Sequence, residues 1–306
     1  MTTPREYRRS TLGPSSLKLV SSTIMSDIKK CFTSRYGSDG KIVEIDWNQL
    51  EVVVLQIETQ DRQLFYEINN GVDLHCALTA TVYETPYKDV SAAVRDGDPT
   101  WTKRRKQMKS ARFALQYGAG AKKISELTGW TEAEAKLFIL KYYGNYPDIA
   151  KWNKEVRKQV EATAKPIGMV DKDGQPVYKG QYTSPSGRRY VFTGALDKRW
   201  GKLSFSPNQL QNYPIQGLAS DFVKRMRSKL LRELYKYTYK PQCLHVNTIH
   251  DSVMFDVGDL DSHTFLIDTV KNVYGSAMFE MSELVNKERL VHVPIGYSIK
   301  HGSFWS

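Results

Sequence analysis

Two short β-branched runs, each delivering an aspartate to a strand end, constrain this chain more than any other feature. Ile42, Val43 and Ile45 form the first and end at Asp46, and the apolar stretch Leu50 to Ile57 that follows can continue as a helix. Leu244, Val246 and Thr248 lead into Ile249-His250-Asp251-Ser252, and Val253, Phe255 and Val257 alternate away from it. That alternation predicts a hairpin with Asp251 at or beside its turn. The two aspartates, about two hundred residues apart, are therefore suited to converge on one edge of a sheet. A lone Asp at a turn usually bonds only its own backbone, so it is the pair that carries the implication.

Between the two runs the pattern is mostly helical. From Lys103 to Gln116 the residues Arg105, Lys109, Arg112 and Phe113, with Tyr117 close behind, recur at three or four, which puts them on one helical face. That helix should stop near Gly118-Ala119-Gly120. Thr131 followed by Glu134 is a capping-box signature opening a helix to about Tyr142, and a second runs from roughly Asp148 to Ala164. Turns at Asp171-Lys172-Asp173-Gly174 and Ser184-Pro185-Ser186-Gly187 frame a hairpin before Arg188-Arg189. Leu218, Phe222, Val223, Met226, Leu230 and Leu234 fall at helical spacing. The opening, through Tyr36-Gly37-Ser38-Asp39-Gly40, reads as loops around a short helix.

The charge balance, 44 Lys and Arg against 33 Asp and Glu for a net +11 and a pI near 9.3, suits a polyanionic partner. Cys31, Cys76 and Cys243 are too few and too far apart for a disulfide framework or a zinc site. With no long apolar run and no signal-peptide core, the expectation is a soluble, cytoplasmic protein.

If Asp46 and Asp251 converge they repel, and both stay ionised only with cations between them. Mg²⁺, which prefers oxygen ligands, is the natural choice. Two such ions about 3.5 to 4 Å apart would stabilise an in-line phosphoryl displacement, and a helix face bearing Arg105 and Lys109 would hold the triphosphate.

The motifs resemble those of family A, DNA polymerase I-like, DNA polymerases in type, order and spacing. Asp46-Trp47-Asn48-Gln49-Leu50-Glu51 is similar to the family's Asp-Tyr-Ser-Gln-Ile-Glu, and Arg105-x3-Lys109-x3-Phe113-x3-Tyr117-Gly118 to its fingers helix. Asn212-Tyr213-Pro214-Ile215-Gln216-Gly217-Leu218-Ala219-Ser220-Asp221 and Ile249-His250-Asp251 follow in the family's order. Weaker matches are Arg8-x-Ser10-x3-Pro14-x2-Leu17, Asp73-Leu74-His75, Gly187-Arg188-Arg189 and the terminal Lys300-x-Gly302-x2-Trp305.

The resemblance implies a mixed α/β, right-hand polymerase fold: an antiparallel palm sheet in residues 1–95 and 201–306, with a helical fingers insertion at 96–200. It implies template-directed addition of dNMPs to a primer 3′ end, with primer-template DNA and dNTPs as partners and two Mg²⁺ ions as cofactor. Asp46 and Asp251 would bind both metals, with the Trp47 main-chain carbonyl as a further ligand. Arg105 and Lys109 would neutralise the triphosphate, and Lys109 would protonate the leaving pyrophosphate. Phe113 would stack on the incoming base, Tyr117 would pack beside the templating base, and Glu51 would exclude a 2′-hydroxyl. Asn212, Gln216 and His250 resemble minor-groove hydrogen-bond donors, and Arg8, Arg188 and Arg189 resemble further DNA contacts. His75 with Asp73 is assigned to helix-start capping.

Three departures stand out. Ser252 replaces a second acid after Asp251, Arg112 replaces the usual Asn and adds a charge near the nucleotide site, and Asn208 replaces an Arg. Fewer than fifty residues precede the first motif, which leaves no room for a thumb or a 3′–5′ exonuclease and suggests a split, phage-type polymerase with those parts in a separate polypeptide. Two alternatives remain. A single-subunit RNA polymerase would carry a small residue and a Tyr where Glu51 and Phe113 stand. A non-catalytic nucleic-acid-binding subunit finds support only in Ser252.

Overall fold

The computed structural model describes residues 28–197, 201–236, 242–285 and 291–305. Arg8 and the rest of its opening motif lie outside the described residues.

β1 (Lys41–Trp47) leads into α1 (Leu50–Thr59), as its apolar run predicts, and then come α2 (Arg62–Asn69), α3 (Leu74–Tyr83) and α4 (Tyr87–Arg95). The basic helix α5 (Pro99–Gln116) is followed by α6 (Ala121–Thr128), α7 (Glu132–Asn145) and α8 (Pro147–Ala162). Four strands come next: β2 (Lys165–Val170), β3 (Pro176–Thr183), β4 (Arg189–Asp197) and β5 (Lys202–Phe205). The chain continues through α9 (Pro207–Leu234), β6 (Cys243–Ile249), β7 (Ser252–Val257), α10 (Leu260–Tyr274), α11 (Ala277–Ser282) and β8 (Tyr297–Gly302). No helix among the described residues is long and apolar enough to cross a membrane.

Local chemistry explains most of these limits. Asp98 caps α5 by accepting from the Trp101 N–H at 2.8 Å, with Pro99 in the first turn. The helix ends where Gly118 takes φ +74°, and a Cβ there would lie 2.6 Å from the Asn208 backbone nitrogen, so conformation and space both require glycine. The capping box of Thr131 and Glu134 opens α7.

One helix departs from expectation. The spacing predicts a helix from Leu218, but α9 begins at Pro207 and carries Pro214 in its interior. Proline there removes one helical hydrogen bond and normally ends a helix. Tertiary burial outweighs that loss: Ile215, Leu218, Phe222, Met226 and Leu230 form one buried stripe.

The elements group into two compact units by contact. Of the described residues, one unit comprises those up to Asn48 with those in Met226–Gly275 and from Gly296; the other comprises those in Gln49–Arg225 and Ser276–Ile295. The first is built on an antiparallel sheet of order β6-β7-β1-β8. Val43, Ile45 and Trp47 alternate onto a buried face of β1, and the Trp47 ring stacks on Tyr274 of α10 at 4.2 Å.

The second unit holds α1 to α8, part of α9, and the antiparallel sheet β2-β3-β4-β5, in which consecutive strands pair. The turns predicted at Asp171–Gly174 and Ser184–Gly187 connect its first three strands. One face of the β3–β4 ladder is buried: Trp152 of α8 meets Tyr182 edge-on, and Gly217 of α9 leaves room for the Tyr190 ring.

Candidate active site

The sheet unit brings Asp46 and Asp251 together, as the sequence predicts. Asp46 sits near the end of β1, paired with Ser252 on one side and Ser298 on the other. Asp251 occupies the two-residue turn that Ile249 and Ser252 close, where His250 adopts the left-handed φ of 53°. Burial pushes the Asp46 carboxyl above its ordinary value; the charges of Asp251 and then Glu44 push it the same way, and Lys300 opposes them. A hydrogen bond between the Asp46 and Asp251 carboxyls adds to the rise.

An Asp46 carboxyl whose proton affinity rises beside Asp251, in a pair that presents only oxygen donors, fits a hard divalent cation such as Mg²⁺. Among the described residues no cluster of three or more His, Cys, Asp or Glu is arranged to hold a metal, so the candidate carboxylate donors are this pair. Ser252 is no hidden third donor: it is buried, and its Oγ donates to the Ile249 carbonyl at 3.1 Å, closing the turn.

The helical unit holds its own group of predicted residues. Along α5, the Lys109 ammonium lies 6.0 Å from the Phe113 ring centroid, and Phe113 is exposed. The His75 ring tilts toward Phe113 at 6.1 Å. Burial, and then the positive charge of Arg112, lower the His75 pKa to about 4, so this imidazole is neutral near pH 7. Arg105 is ion-paired with Asp73 at 2.6 Å.

Just past the end of α5, the Tyr117 hydroxyl donates to the Glu51 carboxylate at 3.2 and 3.4 Å. Burial and the Glu51 charge raise the phenol's pKa, and a bond with Gln216 opposes them. Glu51, Tyr117 and Gln216 thus form one polar chain.

Other predicted residues are placed differently from one another. Arg112 does not join the exposed face: it is 3% exposed, among Glu67, Tyr142 and Tyr146. The expectation that its charge faces the nucleotide site is corrected, because position 112 falls on the inward side of α5. Asn212 is buried too, its Nδ2 donating to the Asn208 carbonyl at 2.9 Å. Gln216 and His250 are exposed. Arg188 pairs with Asp221 at 2.5 Å, and Arg189 is exposed on β4. The Trp47 side chain belongs to the core.

Asp73 and His75 stand at the start of α3, where the sequence places a helix cap. Asp73 does cap α3, accepting from the N–H groups of His75 and Cys76.

Residues 19–306 match the model of DNA polymerase family A. DNA polymerase I of Treponema pallidum (strain Nichols) is 23% identical over 286 residues, covering 94% of this chain and 24% of that protein. The DNA polymerase of Bacillus phage SP01 is 27% identical over 236 residues, 75% of this chain and 22% of that protein. Among solved structures, the POL domain of Pol1 from M. smegmatis, in complex with DNA primer-template and dNTP, aligns with a TM-score of 0.64. That alignment covers 91% of this chain and 42% of the other at 19% identity, a likeness of fold. The chain spans about a quarter of the length of the curated relatives it matches.

Proposed function

This chain belongs to DNA polymerase family A, and from that premise we propose that it extends a DNA primer on a DNA template, adding dNMPs and releasing pyrophosphate. The observation that carries the proposal is the meeting of Asp46 and Asp251 at a strand end and a hairpin turn. Within this reading residues 1–95 and 201–306 are the palm, and 96–200 the fingers.

Asp46, Asp251 and the Trp47 carbonyl would hold two Mg²⁺ ions, which supply charge stabilisation to the attacking and leaving oxygens. Arg105 and Lys109 bind the triphosphate of the incoming dNTP. Lys109 donates a proton from Nζ to the pyrophosphate oxygen as the bond to the α-phosphorus breaks. Phe113 offers its exposed face to the incoming base.

Glu51 occupies the space a 2′-hydroxyl would need, and the Tyr117 hydroxyl fixes its carboxylate, which favours deoxynucleotides. Gln216 and His250, each exposed in its own unit, would donate to minor-groove acceptors. The Asn212 amide already bonds within α9, so we assign it chiefly to holding that helix. Arg189 contacts phosphate, and Arg188 orders the β3–β4 turn through Asp221.

Extension of a primed template with dNTPs and Mg²⁺, beside Asp251→Ala, tests the proposal. Extension by the wild type and its loss in the variant are expected. Equal extension by both would overturn it.

A further inference from the structure

Helix capping accounts for only one of the two carboxylate oxygens of Asp73. Oδ1 accepts from the backbone N–H groups of His75 and Cys76, each at 2.9 Å. Oδ2 accepts from Arg105 Nε at 3.0 Å and Nη2 at 2.6 Å. The Asp73 N–H itself is bound to the Tyr87 hydroxyl oxygen at 3.1 Å, so the carboxylate that grips Arg105 is tied to α3 and α4.

An ion pair with about a third of each side chain exposed, 32% and 34%, adds little to stability in water. What it does is orient. A guanidinium carries five N–H donors in a rigid fork, and Asp73 takes the side edge, Nε with one Nη2 hydrogen. The end-on edge, Nη1 with the outer Nη2 hydrogen, is the one Asp73 does not take. Planar two-point contact with phosphate oxygens needs such an edge aimed in advance. Burial alone would raise the Asp73 pKa, but Arg105 and the two helix N–H groups hold it below its ordinary value. The acid therefore stays charged near neutral pH and the grip persists.

We propose that Asp73 is a positioning residue for the incoming nucleotide, holding Arg105 by its side edge so that the end-on edge meets the triphosphate. This rests on the assignment of Arg105 to the triphosphate made above. Its negative charge also offsets part of the guanidinium's, so Arg105 contributes direction while Lys109 contributes field.

Asp73→Asn separates the two duties, because asparagine still caps a helix and cannot form the ion pair. Single-nucleotide incorporation is measured for the wild type, Asp73→Asn, Arg105→Ala and the double variant, with thermal melts of each. The expected result is a melting temperature close to wild type, with KM for dNTP raised about tenfold and kcat changed much less, as misdirected binding groups produce. In the Arg105→Ala background Asp73→Asn should add nothing.

An unchanged or lowered KM would overturn the proposal, showing that Asp73 competes with phosphate instead of serving it. A further tenfold loss in the Arg105→Ala background would overturn it equally, since Asp73 would then act through another group. Should Asp73→Asn melt early, Asp73→Ser, which also caps, carries the same comparison. Equilibrium titration with a fluorescent dNTP keeps the premise separate: undiminished binding by Arg105→Ala sinks the assignment of Arg105, whatever Asp73→Asn does.

Discussion

Asp46 and Asp73 are both partly buried aspartates, and the fold moves their proton affinities in opposite directions. At the sheet, pairing register and a two-residue turn press like charges together, and the Asp46 carboxyl rises. In the helical unit two charges find an opposite or a donor, Arg105 with Asp73 and Glu51 with Tyr117, and Asp73 falls. A pair of like charges imposed by the backbone calls for a proton or a cation between them. A group of opposite charges is self-sufficient, and serves by holding shape.

The sharpest way to break this contrast is to remove one half of the like-charged pair. Asp251→Ala should lower the extension rate by roughly a thousandfold or more, the several kcal/mol expected of metal-based charge stabilisation, as read in a single-turnover assay. The same pair predicts a pH signature. A folded-state pKa raised above 3.8 means that the metal-free fold loses stability as pH rises from the unfolded value through the folded one. Asp73, lowered, gives the reverse: its contribution is present above the unfolded value and is lost as pH falls through the folded one. Thermal melts from pH 3 to 7 with and without Mg²⁺ check this, and Mg²⁺ should raise stability most where both Asp46 and Asp251 are ionised.

Next in size is the buried guanidinium on the inward side of α5. Arg112→Met leaves Glu67 buried without its nearby positive charge and should cost about 3 kcal/mol of stability, measured by urea unfolding. Adding Glu67→Gln should restore part of the loss; no recovery would show that Arg112 acts through Tyr142 and Tyr146 instead.

Smaller still is Tyr117→Phe, which releases the Glu51 carboxylate from one hydrogen bond of about 1 kcal/mol. Ribonucleotide incorporation relative to deoxynucleotide should rise about fivefold in a competition assay. The smallest effect belongs to Ser252→Ala. It removes one turn-closing bond, should lower stability by about 1 kcal/mol, and should leave the Mg²⁺ dependence of extension unchanged. A shifted Mg²⁺ dependence would mean that Ser252 serves the metal after all.

The legible parts of this protein share a cause. β1, the β6–β7 hairpin, the capping box of α7 and the basic helix α5 are specified by residues within a few positions of one another, through period, caps and turn chemistry. The start of α9 was not legible, because Pro214 argues locally against a helix and only the buried stripe from Ile215 to Leu230 outweighs it. The helical face predicted through Arg112 erred for a similar reason: a spacing of three and four defines a stripe, but burial by α2 and α7 decides where the exposed part of the stripe ends.

The sequence by itself determined the elements and the two acids they deliver, since these depend on short-range backbone preferences and alternation. Tertiary structure alone decided which partner each charge meets. Oδ2 of Asp73 faces Arg105, Ser252 turns to its own hairpin, and Arg112 is enclosed. Each outcome depends on the approach of residues distant in sequence, which no local pattern encodes.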